Sequence, residues 1–423
     1  MGMVKVLLGT TNLLRPVLTK CIPKKMLSAA NNRLLAQSIL RLGREEIQPF
    51  DREKYPRGIN LIGNIKGDSG LGQSCRLLAY ILESVEYPLS IMQHSISPKL
   101  STLDQTYDDR LSTVNPNGIN VFHMNPHELA SAYFQLGKTI WDGHYNIAYW
   151  LWELEEFPDE WVNCIHLLDE IWAPAEYISE SIRKKTHKPV ITVPYYVTAR
   201  TDDQYNREYF GLPEDKFLFL MMFDCGSMME RKNPQAVIKA FKSAFQTKEE
   251  NAGLVIKING ATSDDMEQIK RYIGGYDNIY LINQVFSKVE INSMIKCVNA
   301  VVSLHRAEGF GLVMAEAMLN GVPCIATNWS ANTEFMNSDV ACMVDYKLVE
   351  LDRNIGPYKK GNRWADPDVE QAAAYMRQLY LEPEYGRRKA ALAQEYIAKH
   401  LGLNRAVSIV NDRVATIYGD RAE

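Results

Sequence analysis

The chain has 423 residues, 46% hydrophobic and 23% charged, with 47 Lys+Arg against 51 Asp+Glu and a formal net charge of −4. This is ordinary globular composition, which excludes collagen-like and disordered chains, and the length provides for two to three domains. The mildly acidic total argues against a dedicated nucleic-acid binder. Seven scattered cysteines without CxxC spacing point away from a disulfide framework or a zinc site and toward a reducing compartment.

Charge is unevenly spread along the chain. Residues 1–44 hold eight basic and no acidic residues, so the other 379 carry a net of −12. The longest apolar run, 4–18, is broken by Thr10, Thr11, Asn12, Arg15 and Pro16, so no membrane span is expected. Residues 29–44 read as an amphipathic helix with Leu34, Leu35, Ile39 and Leu42 on one face and Arg33, Gln37, Arg41 and Arg44 on the other. That helix could lie on an anionic membrane surface or pack on the protein's own body.

A β/α alternation follows the polar segment 51–58. Strands are expected at 59–62, 89–92, 119–123, 147–151, 171–174 and 190–194, with a helix at 73–83 after a glycine-rich loop. A second alternation begins after 198–215. Its strands are expected at 217–223, 254–258, 279–282, 300–304 and 324–326, and its helices at 234–245, 264–273, 289–298 and 312–319. Residues 365–423 are expected to be helical only, at 369–381, 387–398 and 406–418, with Asp366-Pro367-Asp368 as a helix start rather than a metal site. Two doubly wound α/β domains with a crevice at the carboxyl ends of their strands are the natural architecture.

The first loop, Gly67-x-x-Gly70-x-Gly72, suits close backbone approach to an anion or a sugar. It is not a dinucleotide fingerprint, because Cys75 stands where the third glycine belongs and 91–94 ends in no acidic residue. The segment 303–320 is richer. Glu308 precedes Gly309-Phe310-Gly311 at the end of a strand, and Glu316 follows within about 12 Å along the next helix. Bare amides and a helix N-terminus suit a diphosphate, with a carboxylate on each side for hydroxyl groups. The competing interpretation makes both glutamates solvated helix charges. The turn 224–234 carries Arg231 and Lys232 into the same crevice, where a cation would neutralise a leaving diphosphate. A Lys-Arg pair alone is more often a solvated turn.

Together these residues resemble the GT-B glycosyltransferases of the retaining group 1 family (family 4), especially a bacterial polysaccharide-type subgroup. Glu308 and Glu316 have the family's E-x7-E spacing, beside a Ser303-Leu304-His305-Arg306 run and an Arg231-Lys232-Asn233-Pro234 turn. The resemblance covers about 58–420. It implies an acceptor-side domain at 58–197, a nucleotide-sugar domain at 198–395, a helix over 396–423 that packs back on the first domain, and a basic extension at 1–57. It further implies a UDP-, GDP- or dTDP-sugar donor, no metal or other cofactor, and a glycan or lipid-linked acceptor. Glu316 would hold the ribose, Glu308 the donor sugar, and Lys232 the diphosphate with Gly309, Phe310 and Gly311. Ser227, Leu312, Gly70 and Gly72 would complete the ligand contacts. Where many members have an Arg, this chain has Asp224 or its neighbours, with Arg231 as a substitute. Where many have a strand-end His near the reacting sugar, either Glu153 or His123 takes the place. The expected setting is cytoplasmic, with residues 1–57 available to an anionic membrane face. Alternatives on the same fold are a sugar-nucleotide epimerase, a phosphorylase, for which no pyridoxal-phosphate lysine is identified, or a binding subunit that has lost turnover.

Overall fold

The computed structural model describes residues 37–95, 104–245 and 251–420. Six strands form the first sheet: β1 (Ile59–Gly63), β2 (Leu89–Gln93), β3 (Ile119–His123), β4 (Tyr145–Tyr149), β5 (Glu170–Ala173) and β6 (Val190–Thr192), in the order β2-β1-β3-β4-β5-β6. All pair in parallel. Six more form the second: β7 (Phe217–Asp224), β8 (Ala252–Asn259), β9 (Ile279–Ile282), β10 (Ala300–Ser303), β11 (Cys324–Thr327) and β12 (Cys342–Val344), in the order β12-β11-β10-β7-β8-β9. These are also parallel. Parallel strands need helical crossovers that cover both faces, which is why the strands are near-continuous apolar runs.

This is the two-sheet GT-B architecture, and its chain reversals position the site. In the second sheet the order reverses between β7 and β10, so the turn after β7 and the segment after β10 emerge side by side. Arg306 N donates to Arg231 O at 2.8 Å and ties the two together.

The C-terminal helix Leu403–Tyr418 crosses back to the first domain. Arg413 meets the fully buried Glu170 at 2.7 Å, Gly58 N donates to the Tyr418 hydroxyl at 3.0 Å, and Arg57 pairs with Asp420 at 2.9 Å.

One expectation needs correction. Residues 365–423 are not helical throughout. Arg363–Pro367 is a strand, β14, paired antiparallel with β13 (Tyr346–Glu350). Trp364 and Ala365 are buried there, and the alternation is too short to register as a strand in sequence. Asp368 does cap the following helix, accepting from Glu370 N and Gln371 N. For the amphipathic segment the described part takes the second of the two alternatives. Within its described part, 37–42 is helical, and Ile39 and Leu42 are buried in the core of the body. Tyr133 and His166 anchor Glu45 just beyond. Ile39 and Leu42 therefore pack on the protein and do not face a membrane. Arg33, Leu34 and Leu35 lie outside the described residues. Among the described residues no helix is long and apolar enough to cross a membrane.

Candidate functional site

The turn after β7 begins with Asp224, whose Oδ1 accepts from Gly226 N at 2.7 Å. Met228 and Asn233 both adopt left-handed backbone, at φ +64° and +56°. For side chains with a Cβ this is costly and persists only where surroundings enforce it. Asn233 is held by its amide donating to Leu304 O at 3.0 Å, and Pro234 then starts the helix Pro234–Ala244. The consequence is that Arg231 and Lys232 face the segment after β10.

There Lys232 Nζ lies 2.5 Å from Glu308 Oε2, and Arg231 is 3.6 Å from the same oxygen. Arg231 is 3% exposed, donates to Ala307 O at 2.8 Å, and reaches Glu153 of the first domain at 3.6 Å. Tyr358, from the loop joining β13 and β14, donates to the other oxygen of Glu153 at 3.0 Å. Burial alone would raise the Glu308 carboxyl, but Lys232 and Arg231 outweigh it and hold it at about 2. Burial conversely lowers the Lys232 ammonium, with Glu308 opposing. Two carboxylates and two cations thus form one mutually neutralised group spanning both domains.

Behind it, His305 is fully buried. Its Nε2 faces Asn332 Oδ1 at 3.0 Å and Trp329 O at 3.2 Å, both acceptors, so Nε2 carries the proton and Nδ1 accepts from the Ser303 hydroxyl at 2.9 Å. Burial lowers its pKa and keeps it neutral. His305 therefore braces the loop at 329–332, from which Ser330 Oγ, on left-handed backbone, accepts from Glu308 N at 2.8 Å.

Gly311 caps the helix Leu312–Leu319 at φ +101°, and a Cβ there would lie 2.5 Å from Met314 Cε. Gly309 faces Trp152 O and Glu153 across the crevice. The Phe310 ring packs on Tyr195 of the first domain at 4.8 Å. Glu316, 1% exposed, is paired through Oε1 with Lys288, while its Oε2 is buried with no hydrogen-bond partner among the described residues. Burial raises this carboxyl above its ordinary value even with Lys288 beside it.

The remaining expected residues divide. Glu153 joins the Arg231–Glu308 group; His123 does not. His123 is buried in the first domain, its Nε2 2.6 Å from Ser74 Oγ and its ring stacked on Tyr149, and burial brings it to about 4. Ser74 in turn meets Tyr195, whose ring packs on Phe310. Gly70 and Gly72 open the helix Gly70–Glu83, capped by Ser69. Gly72 lies against the Gly67 carbonyl, while Gly70 has open space. Ser227 accepts from Arg231 Nε through its carbonyl at 3.3 Å. Leu312 begins the helix after Gly311. Among the described residues no group of three or more His, Cys, Asp or Glu side chains is placed to hold a metal ion.

Sequence reasoning missed Tyr358, Ser330, Lys288 and Lys257. Lys257 alone left a signal, a charge within the apolar strand β8.

Residues 202–395 match the family model described as glycosyl transferases group 1. Among solved structures the chain is similar to a glycosyltransferase from Rickettsia africae ESF-5, with 14% identity, a TM-score of 0.65, and coverage of 87% of this chain and 100% of that one. It is also similar to HepE of Anabaena crystallised with UDP and glucose (11%, 0.60, 85% and 100%). A third is sucrose-phosphate synthase from Thermosynechococcus elongatus (13%, 0.63, 86% and 100%). At these identities the likeness shows the fold. A comparison with curated proteins gave no match. The family match is therefore confined to the second domain, which also carries the Glu308–Glu316 segment, and the two-domain fold is that of the glycosyltransferase structures.

Proposed function

We propose that the crevice transfers a hexosyl unit, with retention, from a nucleotide-sugar to a hydroxyl of a glycan or lipid-linked acceptor. The observation that carries this reading is Glu316 Oε2, a buried carboxylate oxygen in the helix Leu312–Leu319 that has no partner among the described residues. Leaving such a group unsatisfied costs about 1–3 kcal/mol, and a pair of ribose hydroxyls would supply the missing donors. The amides at 309–311 then receive the diphosphate, and Lys232 exchanges part of its contact with Glu308 for phosphate oxygens. Glu308 and Glu153 are left facing the sugar hydroxyls, with Arg231 between them.

In the step proposed, the sugar C1–O bond to the diphosphate breaks. The acceptor oxygen forms a new bond to C1 on the same face. The acceptor's proton passes to the departing phosphate oxygen, and Lys232 and the helix N-terminus stabilise the charge that develops there. The protein contributes positioning and exclusion of water, since hydrolysis is the competing outcome. Closure is supported by contacts across the crevice: Glu334 of the second domain accepts from Glu176 N at 2.9 Å and Tyr177 N at 2.7 Å, at the N-terminus of a first-domain helix.

The test is release of nucleoside diphosphate from a panel of UDP-, GDP- and dTDP-sugars, with and without glycan acceptors. At least one donor should be turned over, and Glu308→Gln should lower its kcat by about a hundredfold or more. Binding without turnover of any donor would replace this reading with the binding-subunit one.

A further inference from the structure

The donor site holds one charged group that the proposed chemistry does not use. Lys257 lies near the end of β8, on the strand next to β7, and is 2% exposed. Its ammonium hydrogen-bonds the side-chain oxygen of Asn259 and sits 5.8 Å from the centre of the Phe286 ring. An ammonium has three donors, so among the described residues two lack a protein acceptor. Desolvation pulls it down to about 8, against Asp224 and together with Lys288. A buried lysine with spare donors is expensive to keep and needs acceptor oxygens that the described residues do not supply.

Its place in the crevice says which oxygens. The polar groups of the second domain run in a series. Lys232 and Glu308 stand at one end, where they meet the first domain's Glu153 through Arg231. Glu316, eight residues beyond Glu308, pairs with Lys288. Lys288 in turn is the cation felt by Lys257. A nucleotide-sugar is also a series: sugar, diphosphate, ribose, base. If the sugar lies at Glu308 and the ribose at Glu316, the base lies toward Lys257. The apolar surface a base needs is there: Phe286 is half-buried beside Lys257, and Val285 next to it is 59% exposed.

Resting on the donor reading above, we propose that Lys257 reads the edge of the donor's base and selects a keto base, uracil, thymine or guanine, over an amino base. The chemistry is a matter of sign. An ammonium donates to the carbonyl oxygen of uracil or guanine. In cytosine and adenine the same ring position carries an amino group, itself a donor, which leaves the buried ammonium unsatisfied.

The experiment measures binding of UDP, CDP, GDP and ADP to the full chain by calorimetry, for the wild type, Lys257→Met and Lys257→Arg. In the wild type, UDP should bind at least about tenfold tighter than CDP, or GDP than ADP. Lys257→Met should bring that ratio within about threefold, mainly by weakening the keto partner, while Lys257→Arg, which keeps the donors, retains most of it. Matching far-ultraviolet spectra and thermal midpoints would show that the variants fold. A wild type without keto preference, or a Lys257→Met protein that keeps it, overturns this proposal and leaves the donor reading standing. No binding of any of the four nucleotides overturns both.

Discussion

Gly70 and Gly72 sit two residues apart in the first turn of the same helix, yet alanine should have opposite effects at the two positions. At Gly72 an added Cβ would lie 1.9 Å from the Gly67 carbonyl oxygen and 2.6 Å from its carbon. Ordinary contact is about 3.4 Å or more, so the two backbone segments would have to separate by roughly 1.5 Å, and no flexible side chain is there to yield. The loop is also fixed from the other side, because Arg76 donates to Gly67 O and Ile65 O, both at 2.8 Å. Overpacking against backbone of this kind costs about 1–3 kcal/mol. At Gly70 nothing lies within 4 Å of the added atom and the residue is helical, so alanine should stabilise by about 0.5–1 kcal/mol. Thermal unfolding should therefore place Gly72→Ala several degrees below the wild type and Gly70→Ala at or above it. In the turnover assay Gly72→Ala should reduce transfer to acceptor more than donor hydrolysis, since the loop belongs to the first domain. A Gly72→Ala protein as stable and as active as Gly70→Ala would show that Gly67 and Gly72 are not in contact and would refute the reasoning.

Other consequences concern charge. Glu308 is held at about 2, below its unfolded value of 4.5, so its ionised form adds stability that is complete above about pH 4.5 and is lost as pH falls through 2. Wild type should be more stable than Glu308→Gln at pH 6, and denaturant unfolding down to pH 2.5 should show the difference shrinking; a constant difference would contradict the pairing with Lys232 and Arg231. Arg413 is the charge partner of the fully buried Glu170, which Tyr145 and Trp172 also contact. Arg413→Met should cost about 3–5 kcal/mol, and adding Glu170→Gln should recover part of it, as chemical denaturation of the two variants will show. The basic residues before 37 are the remaining candidates for an anionic surface. Replacing Lys20, Lys24 and Lys25 by Gln should lower flotation with phosphatidylserine-containing vesicles several-fold at low salt, whereas unchanged flotation removes that role.

Much of this was legible in the sequence because the information is local. The helices Leu312–Leu319 and Val369–Leu381 and the strands Ile119–His123 and Ile279–Ile282 have the expected boundaries, each set by an apolar run ending at a turn residue or cap. Glu308, Gly309, Gly311 and Glu316 were legible as well, since one strand-turn-helix unit carries them all. What escaped lies in contacts between distant segments. Tyr358 reaches Glu153 across 205 positions, and nothing near residue 358 signals it. The hairpin that delivers Tyr358 was itself missed, because its two strands alternate too briefly to stand out. His123 and Glu153 both end first-domain strand regions and look equivalent in sequence. Burial behind Ser74 separates them, and burial at that depth is a property of the packed structure. Ile39 and Leu42 show the same limit, since an apolar helix face does not say whether protein or lipid covers it.

The central claim is that one crevice, built by the turn after β7 and the segment after β10, binds the nucleotide of the donor. A crystal structure with the nucleoside diphosphate that binds most tightly tests it most directly. The account predicts ribose hydroxyls within hydrogen-bond distance of Glu316 Oε2, phosphate oxygens at the amides of 309–311, and Lys232 turned from Glu308 toward the phosphate. A nucleotide bound elsewhere, or one in this crevice that leaves Glu316 Oε2 unpartnered and Lys232 on Glu308, would contradict it.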